Sequence, residues 1–456
     1  MGFGPGAGEG LSGTRFRLFP QPSFLDSFER AETVWVSSPP GSLGPGPSDD
    51  RMYVVDPVGK PMPYGIIPGP RGPAGLYLPP WNGPVRPPVA PDRAGHFDHL
   101  EPGTPAFEAA HLFGTARFVL DVWEDIFGRP IDWHFLPDFD RLELSLFERF
   151  DNARAGYGFL EVGAETTETG ELRPFSLNFD IIAHEMGHLI IYRELGIPTN
   201  ETEQGEYFGF HESAADMVAI IAALHFDSVV QDLLETTAGN LYTFNELNRF
   251  AELSDNKQIR LASNDRKLSE FARGWSDEHD LSQPLTGALF DILVDAFHES
   301  LLDRGLIDPS VEDLSDRIED SPEYDAVMQP LFDAAYEADP NGFKEALLDA
   351  RDFLGTALAE TWSRLSPHYL NYDDVGESLL RVDREMTGGR HQRIIVNDFR
   401  WRDIGLVSVG PRRTPPDETS HAASDRTVVP PAPAEGPARS YAERMAQAGR
   451  CGIPHR

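Results

Sequence analysis

Three polar side chains, His184, Glu185 and His188, interrupt the apolar run NFDIIAHEMGHLIIYREL over residues 178–195. Burying them without partners would cost on the order of several kcal/mol. Either something binds them or the segment is a poor core helix. Histidines four residues apart stand about 40° apart around a helix and one turn along it, so both face the same side. Two such imidazoles can share one zinc ion, and a glutamate beside the first can act as general base on a water there. The five-residue pattern alone is only moderately specific, because two histidines bonded to backbone carbonyls would look the same. The flanks Ile181, Ile182, Ala183, Leu189 and Ile190 are uncharged, as a buried metal helix requires, and Asp180 can cap its N-terminus.

A third protein ligand is needed. The extended pattern that would bring a third histidine on the same segment fails, since Ile191 and Glu194 stand at its glycine and histidine positions. In GFHESAADMVA, Glu212 and Asp216 are again four apart on one helical face that also carries Ala215, Val218 and Ala219. Glu212 could complete the ligand set, and Asp216 could accept the free ring N–H of a ligating histidine. The alternative, two acids on a solvated helix side, is weakened because Ala215, Val218 and Ala219 make that face look buried. His211, next to Glu212, reads as a structural residue, and His96, His99, His111 and His298 fit no motif.

The elements that must position these residues fall into two styles. Residues 1–20 are Gly-rich and read as a flexible lead. From 32 to 100 short period-two pieces (ETVWVSS, RMYVVD) alternate with Pro/Gly stretches that exclude long helices, so strands and ordered loops are expected. Residues 105–128 have the spacing of a long amphipathic helix, and RLELSLFER alternates Leu142, Leu144 and Leu146 as a strand with one buried face. Beyond 179 the pattern is helical to about 385, RIIVNDF suggests one late strand, and residues 409–456 read as a disordered tail. The division expected is a strand- and loop-rich lobe over 21–178 and a helical lobe over 179–408, with the zinc helix 179–196 between them.

The 456 residues carry 40% apolar side chains and a net charge of −35. Such a surface repels phosphate backbones and anionic headgroups, which argues against nucleic acid and acidic membranes as partners. An acidic surplus also offers oxygen ligands for calcium, although a well-solvated acidic surface is the favoured explanation. The single cysteine, Cys451, excludes an intramolecular disulfide framework and a cysteine zinc cluster. No signal peptide or membrane-length apolar run is visible, so the expected location is cytoplasmic by default.

DIIAHEMGHLI followed by HESAAD resembles the helix pair of the thermolysin-like zinc metallopeptidases, the gluzincins. The likeness runs from about residue 105 to 300. It implies an α+β, two-lobed zincin that hydrolyses peptide bonds with Zn2+ on His184, His188 and Glu212, Glu185 as general base, and Asp216 supporting a ligand histidine. DNARAGYG resembles the family's edge strand, which implies substrate-backbone contacts at Asn152 and Ala153. IRLASND resembles the segment whose arginine binds a substrate carbonyl, implying that role for Arg260. His279 in DEHDLSQPLTGALFD resembles the histidine that stabilises the transition state just before a helix start. The family's tyrosine falls here on Glu203, with Tyr207 the nearest aromatic. Asp180 matches one ligand of the family's calcium pair, whereas Ala223 replaces another, which leaves Ca2+ binding open. A zinc-stabilised binding or assembly protein without turnover is the alternative reading. Intact Glu185 argues against it, since a purely structural site needs no base.

Overall fold

The computed structural model describes residues 13–406, except 70–71, 148, 168, 242–248, 251–259, 276, 319–320 and 322. The expected tail from 409 therefore lies outside the described residues. The strands are Thr14–Leu18 (β1), Glu32–Val36 (β2), Met52–Val55 (β3), Gly65–Gly69 (β4), Gly72–Tyr77 (β5), Leu142–Leu146 (β6), Ala153–Gly156 (β7), Phe159–Val162 (β8), Ala164–Thr166 (β9), Leu172–Pro174 (β10), Arg249–Phe250 (β11) and Arg260–Leu261 (β12). The helices are Pro105–Phe127 (α1), Phe179–Glu194 (α2), Gly205–Ala223 (α3), Asp227–Thr237 (α4), Glu278–Asp303 (α5), Pro309–Ile318 (α6), Tyr324–Ala338 (α7), Pro340–Trp362 (α8), Tyr372–Thr387 (α9) and Gln392–Trp401 (α10). The fold is α+β: strands dominate up to Pro174, and helices from Phe179 onward.

The largest sheet has the order β3-β6-β8-β7, with β3, β6 and β8 parallel and β7 the antiparallel outer strand. The crossover from β3 to β6 carries α1. Thr104 caps that helix by accepting from the Phe107 N–H, Pro105 occupies its first turn, and Gly128 ends it in the left-handed conformation at φ 65°. The expectation of one buried face for β6 is corrected, because Glu143 and Ser145 are buried along with the three leucines. The strand- and loop-rich segment 53–81 supplies the missing partners. Tyr64 Oη donates to Glu143 Oε1 at 2.7 Å, and Tyr53 Oη and the Trp81 N–H donate to Oε2 at 2.8 and 2.9 Å. Glu161 on β8 pairs with the buried amine of Lys60 and accepts from the Tyr64 N–H at 2.7 Å. Charged groups can be buried on this face because each is paired or hydrogen-bonded.

Three further expectations change. The expected flexible lead over 1–20 does not hold for its second half, since Thr14–Leu18 is β1, hydrogen-bonded to β2 with Phe16 and Leu18 fully buried, and residues 1–12 lie outside the described residues. RIIVNDF is no strand but most of α10, with Ile394, Ile395 and Phe399 on its buried side; a short apolar run does not distinguish the two periods. Asp180 does not cap α2. Asn178 does, accepting from the Ile181 N–H at 3.1 Å, while Asp180 accepts from Gln21 Nε2 at 2.9 Å.

Helix α2 is buried from Phe179 to Tyr192 and packs against α1, α3 and β7, and α3 packs in turn against α5. Gly187 allows the α2–α3 approach: a Cβ there would lie 2.7 Å from Ala215 Cα and 3.1 Å from Val218 Cβ. The rings of Trp123 on α1 and Trp362 on α8 stack at 5.0 Å, tying the helical half to the crossover helix. Among the described residues no single helix is long and apolar enough to cross a membrane.

Phe16, fully buried and stacked on Phe97 at 5.1 Å and Phe113 at 5.7 Å, joins β1 to α1. Phe16→Ala is expected to cost about 3–5 kcal/mol, read as a lower urea midpoint at unchanged slope. Glu206 in the first turn of α3 accepts from the Tyr372 N–H at 2.7 Å, where α9 begins. Burial raises its carboxyl from 4.5 to about 7 despite that hydrogen bond, with Asp373 and Asp374 adding to the rise. Between those two values the folded chain keeps a proton that the unfolded chain has lost, so stability falls as pH rises through the window. Glutamine keeps the acceptor but has no proton to lose. Melting temperatures measured from about pH 5 to about pH 7 should therefore decline less in Glu206→Gln than in the wild type.

Candidate metal centre

His184 and His188 project from the same side of α2, with ring centroids 4.7 Å apart and planes at 88°. Both present Nε2 to Glu212 on α3: His184 Nε2 lies 3.3 Å from Oε2 and His188 Nε2 3.5 Å from Oε1. One ligand atom from each of the three residues falls within 4.8 Å of the other two, and all three side chains are buried. Two imidazole nitrogens and one carboxylate oxygen at this spacing could hold a divalent cation. Glu185, between the histidines on α2, is fully buried.

The surrounding contacts orient the rings. His184 Nδ1 lies 3.0 Å from Asp216 Oδ1, one turn beyond Glu212 on α3. Asp216 Oδ2 in turn accepts from Thr286 Oγ1 of α5 at 3.2 Å, a contact between residues 70 apart in sequence. His188 Nδ1 lies 2.9 Å from His211 Nδ1. Burial alone would raise the Glu212 carboxyl, but the imidazoles of His279, His188 and His184 hold it well below the usual carboxylate range. Burial likewise pushes His211 down to about 3, so it is neutral near pH 7.

His279 also reaches this group, with Nε2 3.3 Å from Glu212 Oε2 and Nδ1 2.8 Å from Asp277 Oδ1. It lies within the first turn of α5 rather than just before a helix. Asp277 caps α5 by accepting the His279 N–H at 2.9 Å, and the helix continues through Pro284. The His279 contacts hold the Asp277 carboxyl below its usual range.

Asn152 and Ala153 lie at the start of β7, the outer strand of its sheet, which packs against α2. Asn152 O accepts from the Gly163 N–H at 3.0 Å, while the Ala153 N–H donates to the Asn152 side chain at 2.8 Å. Arg260 opens β12, its backbone paired with Phe250 of β11, but its side chain lies outside the described residues. Tyr207 is buried on α3, and its hydroxyl donates to Gly196 O at 2.8 Å, just past the end of α2. Asp180 joins no second group with ligand spacing among the described residues.

Sequence reasoning missed Thr286, Asp277 and the contact of His211. For Thr286 no local signal exists. Asp277 stands two residues before His279 and His211 one before Glu212, and neither spacing by itself shows a shared hydrogen bond.

No family model matches the chain, and no curated protein matches it. Among solved structures, the precursor of protealysin, a metalloproteinase from Serratia proteamaculans, superposes on 71% of this chain and 83% of its own with a TM-score of 0.41 and 11% identity. That likeness is too loose to support any conclusion about residues, which rest on the geometry above.

Losing the carboxylate that orients a ligand histidine typically costs 10- to 100-fold in metal affinity. Asp216→Ala is therefore expected to weaken the binding of an added divalent cation at this group, with zinc as the probe, by about that factor, measured by competition with a chromophoric chelator.

Proposed function

We propose that this chain is a zinc-dependent endopeptidase. The observation that carries the reading is the group of three buried, mutually close ligand atoms on α2 and α3, with a buried glutamate placed between the two histidines. The donor set suits zinc better than calcium, which takes six to eight oxygens. Three members in the group, counted among the described residues, match a site that keeps one coordination position open, as catalytic rather than structural zinc does. Zinc held by His184, His188 and Glu212 would supply Lewis-acid polarisation of the scissile carbonyl and of the attacking water.

The remaining steps belong to the chain. Glu185 takes the proton of the attacking water and delivers it to the leaving amine. His279, its ring held by Asp277, stabilises the oxyanion that develops as the carbonyl is attacked, a contribution of about 3 kcal/mol per well-placed donor. Arg260 is the proposed second donor. The substrate is a peptide or protein in extended form, lying along the outer edge of β7 at Asn152 and Ala153. Strand addition of this kind straightens a chain independently of its side chains.

Digestion of a peptide library by the wild type and by Glu185→Gln tests the reading directly. General acid–base groups contribute about 10²- to 10⁴-fold, so the variant should lose that much turnover at unchanged zinc content. Equal cleavage by both proteins would defeat the mechanism. Zinc binding with no cleavage by either would favour a zinc-stabilised binding or assembly protein instead.

A further inference from the structure

His211 has no part in the hydrolysis just described, yet its ring is clamped on three sides. It lies nearly parallel to His188, at 5.1 Å and 19°, while Tyr192 one turn along α2 stands 4.1 Å away and Tyr207 one turn back on α3 stands 5.6 Å away. Its Nδ1 is 2.9 Å from His188 Nδ1, and its Nε2 is buried without a hydrogen-bond partner among the described residues. An unpaired buried polar atom is unfavourable, a cost that an apolar ring of similar bulk would avoid. Packing alone therefore does not account for an imidazole at this position. Among the described residues, the polar contact that distinguishes it from phenylalanine is the contact to His188.

His188 turns Nε2 toward Glu212, so binding a cation there requires the lone pair on Nε2 and the proton on Nδ1. We propose that His211 is a positioning residue whose Nδ1 accepts the Nδ1–H of His188, fixing the rotation and tautomer that aim His188 Nε2 at the cation. The proposal rests on the metal-site reading of His184, His188 and Glu212. His211 then carries its own proton on Nε2. Both ligand histidines are in this way oriented from α3, His188 by the residue before Glu212 and His184 by the residue four after it.

The test uses the full chain, zinc alone and two variants. His211→Asn offers a carbonyl oxygen near the place of Nδ1, whereas His211→Phe keeps the ring and removes the acceptor. Zinc Kd is measured by chelator competition, and the visible ligand-field bands are recorded with cobalt(II) in place of zinc. His211→Phe should bind zinc about 10- to 100-fold more weakly with altered cobalt bands, while His211→Asn stays within about threefold of the wild type, well inside the loss typical of a missing orienting partner. Wild-type affinity in both variants would overturn the proposal, and so would equal weakening in both, which would point to ring shape instead of the acceptor. Should the phenylalanine variant fail to fold, His211→Ala set against His211→Asn decides on the same terms. A wild-type chain that binds no zinc would instead remove the metal-site reading itself.

Discussion

The contact between α2 and α3 at Gly187 and Ala215 is the constraint on which the candidate metal centre depends. Two histidines on one helix form at most half a cation site, and the other half must come from a neighbour close enough for a short carboxylate to reach across. Glycine at 187 removes the side chain that would otherwise meet the backbone of Ala215. With the helices that close, Glu212 reaches both Nε2 atoms from three residues before Ala215, and Asp216 just after it reaches His184 from behind. A wider separation would leave these groups buried and facing apolar surface.

Burial governs both the cost and the chemistry of the arrangement. Glu185, Glu212 and Asp216 are all almost fully removed from solvent. Isolated carboxylates would not tolerate this, and the cost is offset by the opposing imidazoles and by the Thr286 hydroxyl on Asp216. In a medium of low effective dielectric those interactions are also stronger than in water. The face of the large sheet turned toward residues 53–81 uses the same principle: Glu143 and Glu161 are covered by the phenols, backbone N–H groups and amine of that segment. The Pro/Gly-rich stretches therefore serve as an ordered cover that seals a charged sheet face.

Much of the fold was legible because amphipathic period and capping are local. The long crossover helix spans Pro105–Phe127, close to the residues its spacing indicated, with threonine and proline at its start and glycine just past its end. The readings that failed did so where local pattern carries too little. Ile394 and Ile395 side by side suit a strand or a helix until packing against α5 and α9 selects one. Asn178 and Asp180 are both reasonable caps, and the chain direction entering α2 chose the first. Leu142, Leu144 and Leu146 mark one buried face of β6, but nothing in RLELSLFER shows that residues about 80–90 positions upstream cover the other.

The sequence alone determined that His184, Glu185 and His188 belong to one helix turn and that Glu212 and Asp216 share a helical face, because 3.6 residues per turn fixes such relations whatever the surroundings. It could not determine that these two faces meet. Only the tertiary structure decided that, along with the Thr286 contact to Asp216, the Asp277 contact to His279 and the His211 contact to His188. Each of these joins atoms whose separation is set by how helices pack and how side chains turn, and neither quantity is written in residue spacing.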